Sequence, residues 1–162
     1  VEIEAQNTKH LSFPKISVRV KKWAHFKGHL PTYQSAMASG FDIRAQLLEP
    51  VALKPGQRIV IPTGLSFEIP RGYELQARPR SGLAMKNGVS LVNSPGTIDA
   101  DFRGEVKIIL INLGQEPITV CDQDRIAQLV LCPVLQVDFI ESQELNETER
   151  AGNGFGSTGI RN

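Results

Sequence analysis

The stretch of sequence best equipped for chemistry is Gly96-Thr-Ile-Asp-Ala-Asp-Phe-Arg-Gly104, where two aspartates, a phenylalanine and an arginine lie between two glycines. Gly96 and Gly104 bracket what reads as a tight hairpin leading into a strand over residues 105–113, so Asp99, Asp101 and Phe102 would come from a rigid connection. A carboxylate held there could fix a water molecule and act as general base, an effect worth ~10²–10⁴ in rate. The competing reading is structural: Asp and Gly are ordinary turn residues, and Asp101 with Arg103 would form an exposed ion pair. For an acidic turn met in isolation the structural reading is the commoner one.

A second segment, Arg78-Pro-Arg-Ser-Gly-Leu-Ala84, suits an anion. Arg80 and Ser81 would open a helical turn, with Gly82 allowing close approach of a ligand to the backbone. The alternative is a plain helix cap with a solvated arginine. A third, Arg150-Ala-Gly-Asn-Gly-Phe-Gly-Ser-Thr-Gly159, reads either as a lid whose amides wrap phosphate while Phe155 stacks on a base, or as a simple Gly/Ser tail. Two weaker groupings place Asp42 with Arg44 on one strand face and Asp124 with Gln128 at the start of another; strand-end polarity accounts for each. His10, His25 and His29 show no grouping with carboxylate or thiol, which argues against a metal or catalytic role, and Trp23 and Tyr33 read as packing residues.

These residues need a frame, and the dominant period in the sequence is two. Ile16, Val18 and Val20 alternate with polar residues, as do Leu65, Phe67 and Ile69, and Tyr73, Leu75 and Ala77; each run reads as a half-buried strand. Turn chemistry at Lys54-Pro-Gly-Gln57, Pro70-Arg-Gly72, Ser94-Pro-Gly96 and Asn112-Leu-Gly114 separates the runs. Fourteen glycines and ten prolines punctuating short strands imply an all-β sandwich or jelly roll. Residues 106–113 and 126–131 are apolar at nearly every position, so both faces of those strands should be covered, by a two-sided core or by another subunit. One short helical turn is expected, with Ser81 as N-cap and Gly88 as its stop.

Composition narrows the class. The 162 residues suit one domain, read here as an N-terminal extension over 1–15, a β domain over 16–145, and a polar arm with a glycine-rich flap over 146–162. A net charge of +1 offers no bulk attraction to nucleic acid or to an anionic membrane, so any positive charge for an anionic ligand must be local. No apolar run nears the ~20 residues that span a bilayer. Two cysteines make neither a disulfide framework nor a zinc site, and with no targeting pattern in residues 1–10 a reducing, cytoplasmic setting is expected.

Taken in order, residues 39–45, 79–84, 93–106, 124–129 and 150–159 resemble the five motifs of the trimeric dUTP diphosphatase (dUTPase) family, and the likeness runs from about Leu30 to the C-terminus. Each motif is modest; five in sequence are specific. The resemblance implies a distorted jelly-roll subunit assembled as a homotrimer, each site drawing on more than one subunit and closed by the C-terminal flap. It implies hydrolysis of dUTP to dUMP and pyrophosphate, which keeps uracil out of DNA and supplies the thymidylate precursor. Asp99 then matches the aspartate that deprotonates a water attacking the α-phosphorus. Arg80, Ser81 and Gly82 match the phosphate-binding segment; Asn93, Thr97, Ile98 and Lys107 match positions around the pyrimidine. Asp42 and Gln128 match residues that act through water on Mg²⁺, the ion being held mainly by the triphosphate. Arg150 matches an arginine for the γ-phosphate, and Phe155, with Gly156 and Ser157, the part of the flap that covers the substrate.

Departures from the family pattern are Phe102, where many relatives carry tyrosine beneath the deoxyribose, and Ala151 and Asn153, where glycine is commoner. Two other readings compete: a dCTP deaminase of related fold, which would need a differently placed glutamate, and a nucleotide-binding homologue without turnover. A zinc deaminase lacks its His/Cys/Cys signature here.

Overall fold

Residues 14–153 are described by the computed structural model. Eleven strands and one helix follow each other in these residues: β1 Arg19–Lys22, β2 Phe41–Arg44, β3 Val51–Leu53, β4 Arg58–Pro62, β5 Leu65–Glu68, β6 Tyr73–Arg78, α1 Ser81–Asn87, β7 Val89–Leu91, β8 Gly96–Ile98, β9 Lys107–Asn112, β10 Ile118–Val120 and β11 Arg125–Pro133. A four-stranded sheet in the order β2-β11-β6-β8 and a three-stranded sheet in the order β4-β9-β7 carry most of the chain, with the pairs β1-β5 and β10-β3 at their margins. All pairings are antiparallel. The two larger sheets share one apolar core in which Ile43, Leu53, Ile61, Leu65, Leu75, Ile108, Leu110 and Leu129 are fully buried. The all-β sandwich or jelly roll expected from the alternating pattern, and the distorted jelly-roll subunit that the resemblance implied, are what form.

The period-two reading holds best where a strand pairs on both sides. In β6, Leu75 and Ala77 are buried between β11 and β8. The reading holds less well at the N-terminus, where β1 starts only at Arg19 and Ile16 is exposed. Ser66, expected to face solvent, is buried and serves as a hydrogen-bond junction.

The two continuous apolar runs have different causes. Within β9 burial does alternate: Ile108, Leu110 and Asn112 point into the core while Ile109 and Ile111 are half-buried on the outer face. That outer face continues into the exposed side chains of Val60 and Val92. Asn112 is tolerated at the core because its amide donates to the carbonyls of Leu53 (2.9 Å) and Glu116 (2.8 Å) and accepts from Gly114 N–H. In β11 the register shifts between Arg125 and Ala127, so consecutive residues Ile126 and Ala127 are both buried. A bulge, absent from any simple periodicity, does this.

The helix forms where expected, with its start revised. Arg80, in extended conformation, is the N-cap residue and makes no side-chain cap bond; Ser81 is the first helical residue and keeps its hydroxyl exposed. Gly88 ends the helix with φ 67° and donates its N–H to Ala84 O at 3.0 Å. A Cβ at this position would lie 2.5 Å from the backbone nitrogen of Gly114. Both the left-handed conformation and the close approach therefore demand glycine. Gly88→Ala should lower stability by about 2–3 kcal/mol, read as a drop of several degrees in Tm by calorimetry; an unchanged Tm would contradict this close packing.

Candidate active site

The predicted site residues fall into two groups, and the fold holds them apart. The first lies where β2 and β11 meet the end of β6. Asp42 and Gln128 are register partners across β2 and β11, and Gln128 is partnered on its other side by Arg78. Arg80 donates from Nε to Asp42 Oδ1 at 2.9 Å and from Nη1 to the carbonyl of Arg125 at 3.0 Å. Arg125 donates to the other oxygen, Asp42 Oδ2, at 3.1 Å. Gln128 Nε2 donates to the carbonyl of Pro79 at 3.0 Å, which fixes the approach to Ser81.

Asp42 is thus a half-buried carboxylate engaged at both oxygens by guanidinium groups. It aims Arg80 rather than standing free, a role the sequence did not reveal because Arg125 lies 83 residues away. Arg44, on the same strand face as Asp42, turns instead to the carbonyl of Gln123 at 2.7 Å. Asp124 caps its own turn by accepting from Cys121 N–H at 2.8 Å. Nearby, Asp122 is held below the ordinary carboxylate value, first by the N–H of Leu47 and further by Lys27, against desolvation.

The second group surrounds residues 93–107. Ser94–Pro95 is a cis peptide, and Gly96 lies so close to the Asn93 amide that a Cβ would sit 2.9 Å from Nδ2. Thr97 is exposed, while Ile98 is buried, so Ile98 can offer a ligand only its backbone. Asp99 is exposed, its carbonyl accepting the Phe102 N–H at 3.2 Å to close a turn. The Phe102 ring lies against Gly104, where a Cβ would be 2.6 Å from Cζ. Lys107 is exposed and 3.8 Å from Glu105.

Two expectations about this segment need correction. It is not a ladder hairpin: β8 pairs with β6, β9 pairs with β4 and β7, and the turn at Asp99 crosses between sheets. The proposed Asp101–Arg103 ion pair is absent among the described residues, because Arg103 donates instead to the carbonyls of Ala100 and Phe102.

The distance between the groups follows from strand register. Ile98 is opposite Leu75 and Gly96 opposite Ala77, so Asp99 leaves β8 level with Glu74, near the start of β6, while Arg80 and Ser81 follow its end. At about 3.3 Å per residue the two lie on the order of 15–20 Å apart. Two open concavities among the described residues, about 490 and 630 Å³, include Asp42 and Glu105 respectively but neither Asp99 nor Ser81.

Arg150 joins neither group; its Nε donates to the carbonyl of Asn153 within a local turn in which Ala151 adopts φ 43°. Phe155, Gly156 and Ser157 lie outside the described residues. His25, read from sequence as lacking any acidic partner, meets Glu105 at 2.8 Å across 80 residues. Among the described residues no three His, Cys, Asp or Glu side chains cluster as a metal site would require, and no helix is long and apolar enough to cross a membrane.

Comparison with known proteins bears on both groups. Residues 27–159 match the family model described as dUTPase. The deoxyuridine 5'-triphosphate nucleotidohydrolase of Bdellovibrio bacteriovorus is 64% identical over 145 residues, covering 90% of this chain and 97% of that protein. The protein of the same name from Chlamydia pneumoniae is 56% identical over 133 residues, 82% of this chain and 92% of its own. Among solved structures, the dUTPase of Staphylococcus bacteriophage 80alpha with dUPNHPP superposes with a TM-score of 0.76 at 26% identity, covering 90% of this chain and all of that one (100%).

The paired contact at the first group has a measurable strength. A double-mutant cycle on Asp42→Ala and Arg80→Ala in urea unfolding should give a coupling of about 1–2 kcal/mol, above the exposed-pair range because both groups are largely shielded from solvent. Coupling near zero would mean that Asp42 does not hold Arg80.

Proposed function

The chain belongs to the dUTPase family and hydrolyses dUTP to dUMP and pyrophosphate, and from that premise we propose which of its residues perform each part of the reaction. Asp99 is the general base: an exposed carboxylate on a closed turn, without a partner among the described residues, able to orient a water and take its proton as that water attacks the α-phosphorus. Arg80, Ser81 and Gly82 receive the phosphates. Arg80 is pre-aimed by Asp42, and the Ser81 hydroxyl, left uncommitted because Ser81 caps nothing, is available to the oxygen bridging the α- and β-phosphates, where leaving-group charge develops. At Gly82 nothing among the described residues lies within 4 Å of an added Cβ, so the space is open to a ligand or another subunit.

Uracil is read at residues 93–98, with Lys107 beside them. Asn93 and Thr97 present polar side chains, and Ile98, its side chain buried, contributes backbone groups. Uracil offers an acceptor at O4 where cytosine has an amino donor. Fixed backbone groups left unpaired against cytosine can discriminate by up to ~10⁴–10⁵. Phe102, braced on Gly104, gives the deoxyribose an apolar ring face without the hydroxyl of a tyrosine.

The donor set fits a magnesium ion held by the substrate rather than by the protein. Asp42 is committed to two arginines, and Gln128, with Nε2 on Pro79, keeps its carbonyl oxygen for a water molecule. Magnesium retains several waters when bound through phosphates, neutralising their charge and extending the chain for in-line attack.

The unit of activity is a homotrimer. Support comes from the 15–20 Å between the two groups, estimated above from strand rise, and from apolar side chains that a lone chain leaves in water. Leu135, Phe139, Ile140 and Leu145, on the segment after β11, are each 86–95% exposed, a density that calls for a covering partner. The arm over residues 146–162 would then close a site with Arg150 on the γ-phosphate and Phe155, Gly156 and Ser157 over the substrate, while residues 1–15 stand outside this scheme. Two free cysteines, Cys121 and Cys132, and a substrate drawn from the nucleotide pool accord with action in the cytoplasm.

Asp99→Asn keeps the shape of the turn and removes the base. With dUTP and magnesium it should bind substrate but release pyrophosphate at least ~10²-fold more slowly. Wild-type rates in this variant would assign the base elsewhere, and ammonia from dCTP would point to deaminase chemistry.

A further inference from the structure

The turn carrying Asp99 has no ladder of its own, so something outside it must fix its returning arm, residues 104–106. Three neighbouring contacts do this. Ser66 Oγ donates to the Gly104 carbonyl at 2.7 Å. Glu105 accepts at Oε1 from Gly64 N–H at 2.7 Å and from His25 Nε2 at 2.8 Å. Val106 donates to Leu65 O at 2.9 Å and accepts from Thr63 Oγ1 at 2.6 Å. Every residue of the arm is thus tied to the β4–β5 corner.

That corner is itself oriented by the segment after β1. Trp23 Nε1 donates to Ser66 Oγ at 2.9 Å, and Trp23 N–H donates to Gly64 O at 2.9 Å. An indole N–H can only donate, so the Ser66 hydroxyl must accept from Trp23 and spend its single hydrogen on Gly104. The relay has one direction and no alternative arrangement. Ser66 and Thr63 are buried polar residues whose presence the core does not otherwise explain. Glu105, largely buried, lies between His25 and Lys107, a residue of the pyrimidine group.

We infer that Trp23, Ser66 and Glu105 are positioning residues for hydrolysis, holding the arm that sets where Phe102, Lys107 and Asp99 stand against the nucleotide. The inference rests on the reading of residues 93–107 as the uracil and base half of the site. None of the three touches the reacting atoms; each acts through the backbone of residues 104–106.

The test uses Ser66→Ala, which cuts the relay, and Trp23→Phe, which keeps an aromatic ring and removes only the N–H. Both should lower kcat about tenfold at 25 °C with KM changed less than about twofold, as expected for lost alignment rather than lost binding. A merely structural role would lower Tm and leave kcat intact at that temperature. Trp23 is the only tryptophan of the sequence, so its emission is a second readout: titration with a non-hydrolysable α,β-imido dUTP should shift it in the wild type and not in Ser66→Ala. Wild-type kcat in both variants, with the emission shift retained in Ser66→Ala, would overturn the inference. Should Ser66→Ala not fold, Trp23→Phe, altered at a ring 39% exposed, carries the kinetic test alone. Asp99→Asn run beside them separates the two claims: full turnover there sinks the base assignment, whatever the relay variants do.

Discussion

The antiparallel register of β6 against β8, with Leu75 opposite Ile98 and Ala77 opposite Gly96, is the constraint on which the chemistry of this molecule depends. It sends the chain out of the sheet at Asp99 on one side and at Arg80 and Ser81 on the other. A one-residue slip would turn the buried Leu75 and Ala77 to solvent, so the register is secured by the same apolar burial that forms the core. In the proposed assignment the sheet holds two half-sites at different ends of β6. The proposed homotrimer makes assembly a condition of catalysis, and the exposed apolar side chains beyond β11 are the surface offered for it.

In the proposed assignment each half-site is held by contacts of its own chain before it meets substrate, by different means. The phosphate half uses charge: one carboxylate, Asp42, shared between Arg80 and Arg125, so that Arg80 is aimed without being neutralised outright. A carboxylate between two guanidiniums leaves net positive charge facing outward, which suits a triphosphate better than a simple one-to-one pair. The base half uses neutral hydrogen bonds and close contact: Phe102 on Gly104, Asn93 on Gly96, and residues 104–106 tied to the β4–β5 corner. Preorganisation of this kind lowers the reorganisation that the reaction itself would otherwise require.

Much of this was legible in the sequence because it is local. Alternation in residues 73–77, the turn dipeptides, and the helical stop at Gly88 are each settled by neighbours a few residues apart. Five short motifs in order carried the resemblance to the dUTPase family, which the matching family model bears out. What stayed hidden is long-range. Asp42 meets Arg125 across 83 residues, His25 meets Glu105 across 80, and Trp23 meets Ser66 across 43. No periodicity announces such pairs. The bulge at Arg125–Ala127 and the crossing of the Asp99 turn between sheets were missed because both depend on which strands pair, not on what each strand contains.

Mixing two disabled chains decides whether a working site takes Asp99 from one subunit and Ser81 from another. Asp99→Asn and Ser81→Ala, each nearly inactive alone, would be tagged differently, co-refolded in equal amounts, and the hybrid trimers purified and assayed with dUTP. If half-sites come from different subunits, each hybrid trimer regains about one site in three and activity rises well above either parent. Hybrid trimers no more active than the average of the two parents would contradict the account, and would mean that one chain supplies both residues to its own site.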